Sequence, residues 1–422
     1  MILKLAVRNI FRHRTRSLIT ISTIVFGCVA IIFIGGFFED VFLQLREGFI
    51  EAQTGHIQVY KMGFNQKGRT DPFNYLIENS GEVISVIRQL PEVDYVTPRI
   101  QFSGLLSTGS NTVSFIGQGV DPRYERTLSK EAVADLRKAY KEGVKQGVTT
   151  LKTGQGLDNN DEYGVILGEG LAAGIDAKAQ SSVTLLTNTV DGSNNALDMK
   201  VRGVFYTSSK SFDEVFLRLP LVTAQKLLNT ESVQSLLIKL HHTDDTQEVK
   251  NKLQSLFKEK HFNLEMRTWD ELTEFYAQTV DLFKKFYLIM KVIIFIVVVL
   301  SIFNTMSMSV LERISEIGTI MAMGTKAKGV ILLFLYEGIG LGVIGGVVGV
   351  ILGCTIVHVV SCIGITMPPP PGGNVGWLSH PMIVPRILFS TFVFSIFIGG
   401  ISAFYPAYRA SRLVITEALR YR

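Results

Sequence analysis

The sequence predicts an α-helical membrane protein with four transmembrane helices and an α+β domain inserted between the first and second of them. Two observations carry this: the placement of the apolar stretches, and the uneven distribution of lysine and arginine around them. One uncharged span lies near the amino terminus, more than two hundred mixed residues follow, and three further spans crowd into the carboxyl-terminal third. A helix needs roughly 20 apolar residues to cross the hydrocarbon core. Ser17–Phe38, Val292–Leu311, Gly338–Val357 and Ile387–Tyr408 each meet that length. The 47% hydrophobic and 19% charged shares therefore average a greasy third with an ordinary soluble middle, and the two need separate readings.

Orientation follows from cations close to the span ends. Lys4, Arg8, Arg12, Arg14 and Arg16 precede the first span, Arg313, Lys326 and Lys328 lie between the second and third, and Arg409, Arg412, Arg420 and Arg422 follow the fourth. These segments are expected in the cytoplasm. Ser361 to Pro385 holds neither lysine nor arginine, which places it and the middle domain outside, with both termini inside. The net charge of +5 is largely this flank bias and is not a nucleic-acid signal. A cleaved export signal is disfavoured, because apolar residues continue past Cys28 beyond the length of a signal core. Cys28, Cys354 and Cys362 lie in or beside spans and indicate neither a disulfide framework nor a metal site.

At the amino terminus Lys4, Arg8, Arg12 and Arg16 recur every fourth residue, opposite Leu3, Val7, Ile10 and Phe11. The pattern is that of an interfacial helix with its cations at the lipid headgroups, and a topogenic role explains the charges equally well. After the first span Phe38, Phe42, Leu45 and Phe49 keep helical spacing, so the helix is expected to run to about Ala52. At 1.5 Å per residue this is roughly 55 Å, well beyond the hydrocarbon core. Thr268–Glu271 forms a capping-box pattern, and nothing interrupts the run from there to Gly318. Two long helices are thus expected to rise from the membrane as a stalk, either transmitting movement or giving rigid support.

Between them, His56–Tyr60, Tyr95–Leu106, Thr112–Gly117, Val183–Leu186, Val215–Leu219 and Ser235–Leu240 read as strands. Glu82–Leu90, Lys130–Glu142, Leu221–Leu228 and Thr246–Phe257 read as helices, and Gly143–Tyr163 reads as a loop. Beyond the second span, Thr319–Gly324 is too short to cross a membrane and too apolar to be free, so it should dock on the inner leaflet or on a partner. Gly338, Gly342 and Gly346, with Gly345, Gly349 and Gly353, allow close helix packing, within the chain or in a dimer seam. Lys291 and Glu337 lie near opposite membrane faces, within reach of the interfaces. Pro368–Pro371 predicts an extended external strut. The sequence contains no HExxH, GxSxG or GxxxxGK[ST] pattern, so any work the chain performs is expected to be powered by a partner.

Three groups of residues carry a resemblance. They are Leu5–Arg14 with Arg16-Ser17 before the first span; Glu312-Arg313, Glu316-Ile317-Gly318 and Met321–Gly324 after the second; and Pro406–Arg412 with Glu417–Arg420 at the end. Together, and in this order, they resemble the ABC-transporter permeases that include MacB, the lipoprotein-releasing proteins LolC and LolE, and FtsX. The resemblance implies a MacB-like periplasmic core joined to an FtsX-like permease module in the bacterial inner membrane. Glu312, Arg313, Glu316, Ile317, Gly318, Met321, Met323 and Gly324 then resemble a coupling helix that docks on an ABC ATPase subunit, which would hold ATP and Mg; this chain would bind no cofactor of its own. A second permease chain, in a homodimer or heterodimer, is implied, and transport would proceed by mechanotransmission. Gly55–Val59 is similar to the lipoprotein-releasing branch, so a lipoprotein cargo is the first expectation. Macrolide, peptide or toxin efflux with a periplasmic adaptor, and an FtsX-like transmitter that activates an external hydrolase, are the alternatives.

The expected organisation is an amphipathic helix over 1–16, a first membrane helix and stalk over 17–52, and the external domain over 53–267. The second stalk and membrane helix occupy 268–311, the coupling segment 312–327, and the third span 328–361. The external loop occupies 362–385, the fourth span 386–408 and the cytoplasmic tail 409–422. The resemblance implies two lobes in the external domain, one near Gln53–Val120 with Phe212–Arg267 and the other near Asp161–Ser211.

Overall fold

The computed structural model describes residues 2–12, 14–68, 70–125, 127–128, 149–158, 160–207, 209–369, 376–412, 414 and 418. In chain order helices α1 (Ile2–Arg12) and α2 (Arg14–Phe49) come first, followed by strand β1 (Ile57–Lys61), α3 (Ser80–Ile87), β2 (Val93–Ser107), β3 (Thr112–Val120) and β4 (Thr127–Leu128). Next are β5 (Thr149–Gly154), β6 (Gly164–Gly168), α4 (Glu169–Gly174), β7 (Ser182–Asn188), β8 (Asn194–Tyr206), α5 (Lys210–Asp213), β9 (Phe216–Pro220) and α6 (Leu221–Leu228). Then follow β10 (Ser235–Leu240), α7 (Thr246–Glu259), β11 (Leu264–Thr268), α8 (Trp269–Leu272), α9 (Glu274–Glu312) and α10 (Ile314–Ala322). The last elements are α11 (Ala327–Ile363), β12 (Ile365–Met367), β13 (Trp377–Ser379) and α12 (Pro385–Ser411). Two compact units result: a helical one of Met1–Phe42, Thr279–Ile365 and Ser379–Arg422, and an α+β one of Leu43–Gln278 and Thr366–Leu378.

The α+β unit is built on a sheet of 11 strands among the described residues, ordered β11-β1-β10-β2-β3-β9-β6-β8-β5-β4, with β7 pairing both β2 and β8. Its organising element is the long strand β2. Residues 93–99 of β2 pair with β10, whereas residues 100–107 pair with β3, and the last four of these also meet β7. The β2–β3–β9–β6–β8–β7 path therefore closes on itself, which removes unpaired strand edges. Two hydrophobic cores follow. One sets Ile57, Val59, Val96 and Ile238 beneath Ile87 of α3 and Leu253 of α7; the other fills the closed strands with Phe102, Leu106, Phe115, Leu167, Leu185 and Val201. The lobe boundary is thereby corrected: residues 100–120 and 216–228 belong with the closed strands, because β2 runs through both cores.

The six segments read as strands all form strands, and α3, α6 and α7 match the helices read between residues 82 and 257. The helix read at Lys130–Glu142 lies outside the described residues. The expected loop at Gly143–Tyr163 contains β5, whose Leu151 pairs with Phe205; its glycine and threonine content hid a strand held by β8. The expected uninterrupted run from Thr268 to Gly318 is broken twice. The capping box of Thr268 and Glu271 does form, but it closes the single turn α8, and the chain breaks again at Arg313 between α9 and α10. Of the proline run, Pro368 and Pro369 are among the described residues.

In the helical unit four helices are long and apolar enough to cross a membrane, among the described residues. Their packing rests on small residues. Where α11 crosses α12, an added Cβ on Gly338 would meet the Gly399 carbonyl oxygen at 2.4 Å, and one on Gly399 would meet the Gly338 oxygen at 2.3 Å. Gly342 and Gly346 continue this seam against Ser395. Gly345, Gly349 and Gly353 form a second seam, against Ile24, Cys28 and Ile32 of α2. Helices α2 and α9 meet through aromatic rings: Phe38 lies 5.3 Å from Phe283 and 6.1 Å from Tyr287, centroid to centroid. Gly338→Leu is expected to lower the unfolding midpoint of the detergent-solubilised chain by several degrees. Gly400→Ala, whose added Cβ would sit 3.7 Å from Ile339, should leave it unchanged, as read by intrinsic fluorescence.

Candidate functional site

The break at Arg313 defines the site. Helix α9 stops at Glu312, Arg313 leaves helical geometry at φ −115° and ψ 17°, and the nine-residue α10 begins at Ile314. The reason lies in the arginine's side chain. Arg313 is only 6% exposed; its Nη1 donates to Glu337 Oε1 at 3.0 Å and to Oε2 at 3.4 Å, and its guanidinium lies 5.6 Å from the Phe334 ring centre. Glu337 is equally buried on α11. A lone charge in such surroundings is costly, so each of the two is tenable only with the other.

The network extends outward. Arg313 Nε donates to Glu316 Oε2 at 3.2 Å, and Glu316 Oε1 also accepts an ion pair from Arg12 Nη1 at 3.1 Å. One turn away, Arg16 at the start of α2 pairs with Glu312. Two arginines that straddle the α1–α2 junction thus meet two carboxylates that straddle the break at Arg313. Asn9, Ser17, Thr20 and Ser309 join Arg313 and Glu337 around a recess of about 20 Å³, room for a single water.

The remaining residues singled out from the sequence divide by burial. Ile317 and Gly318 are buried with Ile314 against the helical core, and Met321 packs partly against it. Arg313, Ile317 and Gly318 thus turn inward; α10 is amphipathic, and this is its dry stripe. Ser315, Glu316, Thr319 and Met323 form the exposed stripe, with Met323 75% exposed, and Gly324 ends the segment at φ +96°. Arg8 and Arg12 are exposed on α1, whereas the side chain of Lys4 lies outside the described residues. Ile10, read as facing lipid, is instead buried, and an added Cβ on Gly340 of α11 would lie 2.9 Å from its Cδ1. Glu337, read as near enough to an interface to snorkel, is instead enclosed with Arg313. Lys291 lies 4.3 Å from the Tyr287 ring centre on its own helix.

A second polar cluster, in the α+β unit, escaped the sequence reading. Helix α2 finishes in a π turn over Ile50–Thr54, and Gly55, at φ +63°, swings the chain into β1. Fully buried Arg218 of β9 grips that end: Nη2 donates to the Ala52 carbonyl at 2.8 Å, Nε to Gln118 at 3.3 Å, and Nη1 to Glu125 and Thr149. Arg99 donates to the Gln53 carbonyl at 2.9 Å, and Lys239 pairs with Glu51 at 2.7 Å. Cations thus cap the last carbonyls of the helix. Burial pushes the Arg218 guanidinium below its ordinary pKa, and the Glu125 carboxylate opposes that shift. An arginine between apolar neighbours in Phe216–Pro220 was the available signal, but its partners are distant in sequence.

Residues 17–256 match the family model of the MacB-like periplasmic core domain, and residues 288–415 match the FtsX-like permease C-terminal model. The chain belongs to the MacB/FtsX-type family of ABC transporter permeases. An uncharacterized ABC transporter permease of Methanocaldococcus jannaschii is 24% identical over 99% of this permease and 97% of its own length. LolC of Xylella fastidiosa, named as a lipoprotein-releasing system transmembrane protein, is 24% identical over 78% of each chain. The macrolide export ATP-binding/permease protein MacB of Acinetobacter baylyi is 23% identical over 99% of this permease, which spans 59% of that protein's length. In this permease, Arg313→Met leaves Glu337 buried without its cation, at a cost of about 3–5 kcal/mol. Adding Glu337→Leu is expected to recover most of that loss, read as the thermal midpoint in detergent.

Proposed function

We propose that this permease works with an ABC ATPase that docks on the exposed stripe of α10, and that ATP-driven movement there is delivered through the long helices to the α+β domain outside the membrane. The observation that carries this reading is the amphipathic α10 itself. Its inner stripe is fixed by Ile314 and Ile317 with Arg313 at the N-cap, while Ser315 and Thr319 stay exposed on a nine-residue helix too short to cross a bilayer, as does Met323 at its C-cap. The flank cations support cytoplasmic termini and an α+β domain, inserted between the first and second membrane helices, in the periplasm of a bacterial cell. ATP and Mg belong to the ATPase, and a second permease chain completes the assembly.

The ATPase is read as a separate chain, because the relatives matched over most of their own length are named permease and transmembrane protein. The cargo is read as a lipoprotein lifted from the outer leaflet, on the match to LolC. Macrolide efflux with a periplasmic adaptor is the second reading, favoured by the MacB-like core and the MacB relatives. Thr319→Arg with Met323→Asp is expected to reduce co-purification of the ATPase at least tenfold without lowering the permease's own thermal midpoint. Undiminished co-purification would overturn the docking reading. Release of a fluorescent lipoprotein from proteoliposomes on addition of MgATP supports the first cargo; a rise in macrolide resistance without such release supports the second.

A further inference from the structure

Two arginines of the amino-terminal segment are engaged by the coupling region. Arg12 pairs with Glu316 on α10 at 3.1 Å, and Arg16 at the base of α2 pairs with Glu312 at the end of α9. Apolar packing fastens the same segment from the other side. Ala6 is 1% and Ile10 6% exposed, with Ile10 seated over Gly340 of α11. Ser17 Oγ donates to the Ile10 carbonyl at 2.7 Å, bridging the junction of α1 and α2. Thus α1 and the base of α2 touch α9, α10 and α11 at once. A helix held only by the membrane surface would leave its cations free for headgroups and its apolar side turned to lipid.

We infer that helix Ile2–Arg12 and the Arg12/Arg16 pair are a second arm of the coupling element, carrying displacement of α10 to the first membrane helix while α9 carries it to the second. This rests on the docking reading above. Arg16 and Glu312 are positioning residues: neither lies in the exposed stripe of α10, and each acts by holding the base of one long helix to the end of the other. Without their pairing, the base of α2 loses its direct ion pair to the end of α9. Glu316 joins both halves of the network, since its two oxygens serve Arg12 and Arg313.

The test is a charge exchange in the full chain, co-expressed with its ABC ATPase and reconstituted in lipid nanodiscs. The readout is MgATP hydrolysis stimulated by the permease, with the amount of bound ATPase measured in the same samples. Arg16→Glu alone, and Glu312→Arg alone, are expected to cut stimulation about fivefold while the ATPase stays bound. The double exchange R16E/E312R should restore it to within about twofold of the unaltered chain. Arg16→Gln, a milder change, should give an intermediate loss. The inference is overturned if the single exchanges leave stimulation unchanged, or if their loss is not repaired by the double exchange and instead follows the anionic lipid content of the discs. The last result would return the arginines to the membrane surface. An unaltered chain that neither binds nor stimulates the ATPase would overturn the docking reading itself, and the inference with it.

Discussion

The helical unit is organised around one constraint: Arg313 and Glu337 are both charged and both buried, so neither is tolerable without the other. Their pairing sits at the break between α9 and α10, where Arg313 leaves helical geometry. It also sets which stripe of α10 turns inward. The outer members of the network, Glu316 with Arg12 and Glu312 with Arg16, are more exposed, and an exposed pair is individually worth about 0.2–1 kcal/mol. Their significance is directional: they tie the bases of different helices to one another. Strength resides in the buried pair, and connection in the exposed ones.

The glycine seams serve the same end by a different route. Gly338 and Gly399 bring α11 and α12 to backbone contact, and Gly345, Gly349 and Gly353 seat α11 on the side chains of Ile24, Cys28 and Ile32 of α2. Close packing leaves little slack, so displacement of one helix is transmitted rather than absorbed. In the α+β unit the counterpart is Arg218, which from inside the sheet holds the Ala52 carbonyl in the π turn that follows α2.

Much of this was legible in the sequence. Long apolar runs announce membrane helices because nothing else satisfies backbone groups in lipid, and the strands that alternate over a single buried face were found for the same kind of reason. β5 was missed because Thr149–Gly154 owes its extension to β8, a tertiary partner that local pattern does not reveal. The short apolar segment after the second span could be located, but its inward and outward stripes could not: Arg313 reads as a surface cation until α11 supplies Glu337. The same blindness applied to Arg12 and Arg16, whose four-residue spacing suits a headgroup layer as well as a facing pair of carboxylates. Periodicity specifies a face, and only the fold specifies what covers it.

The claim that the bases of the first and second long helices move together is most directly tested with a covalent link. Arg16→Cys and Glu312→Cys, in a chain whose Cys28, Cys354 and Cys362 are replaced by alanine, remove the ion pair; a short bifunctional thiol reagent then joins the two positions. Permease-stimulated ATP hydrolysis in nanodiscs should be low before the link is made and should return once it is in place, because a fixed connection does the work of the lost one. If the link instead abolishes the remaining stimulation, the two helix bases must separate during the cycle, and the account is contradicted.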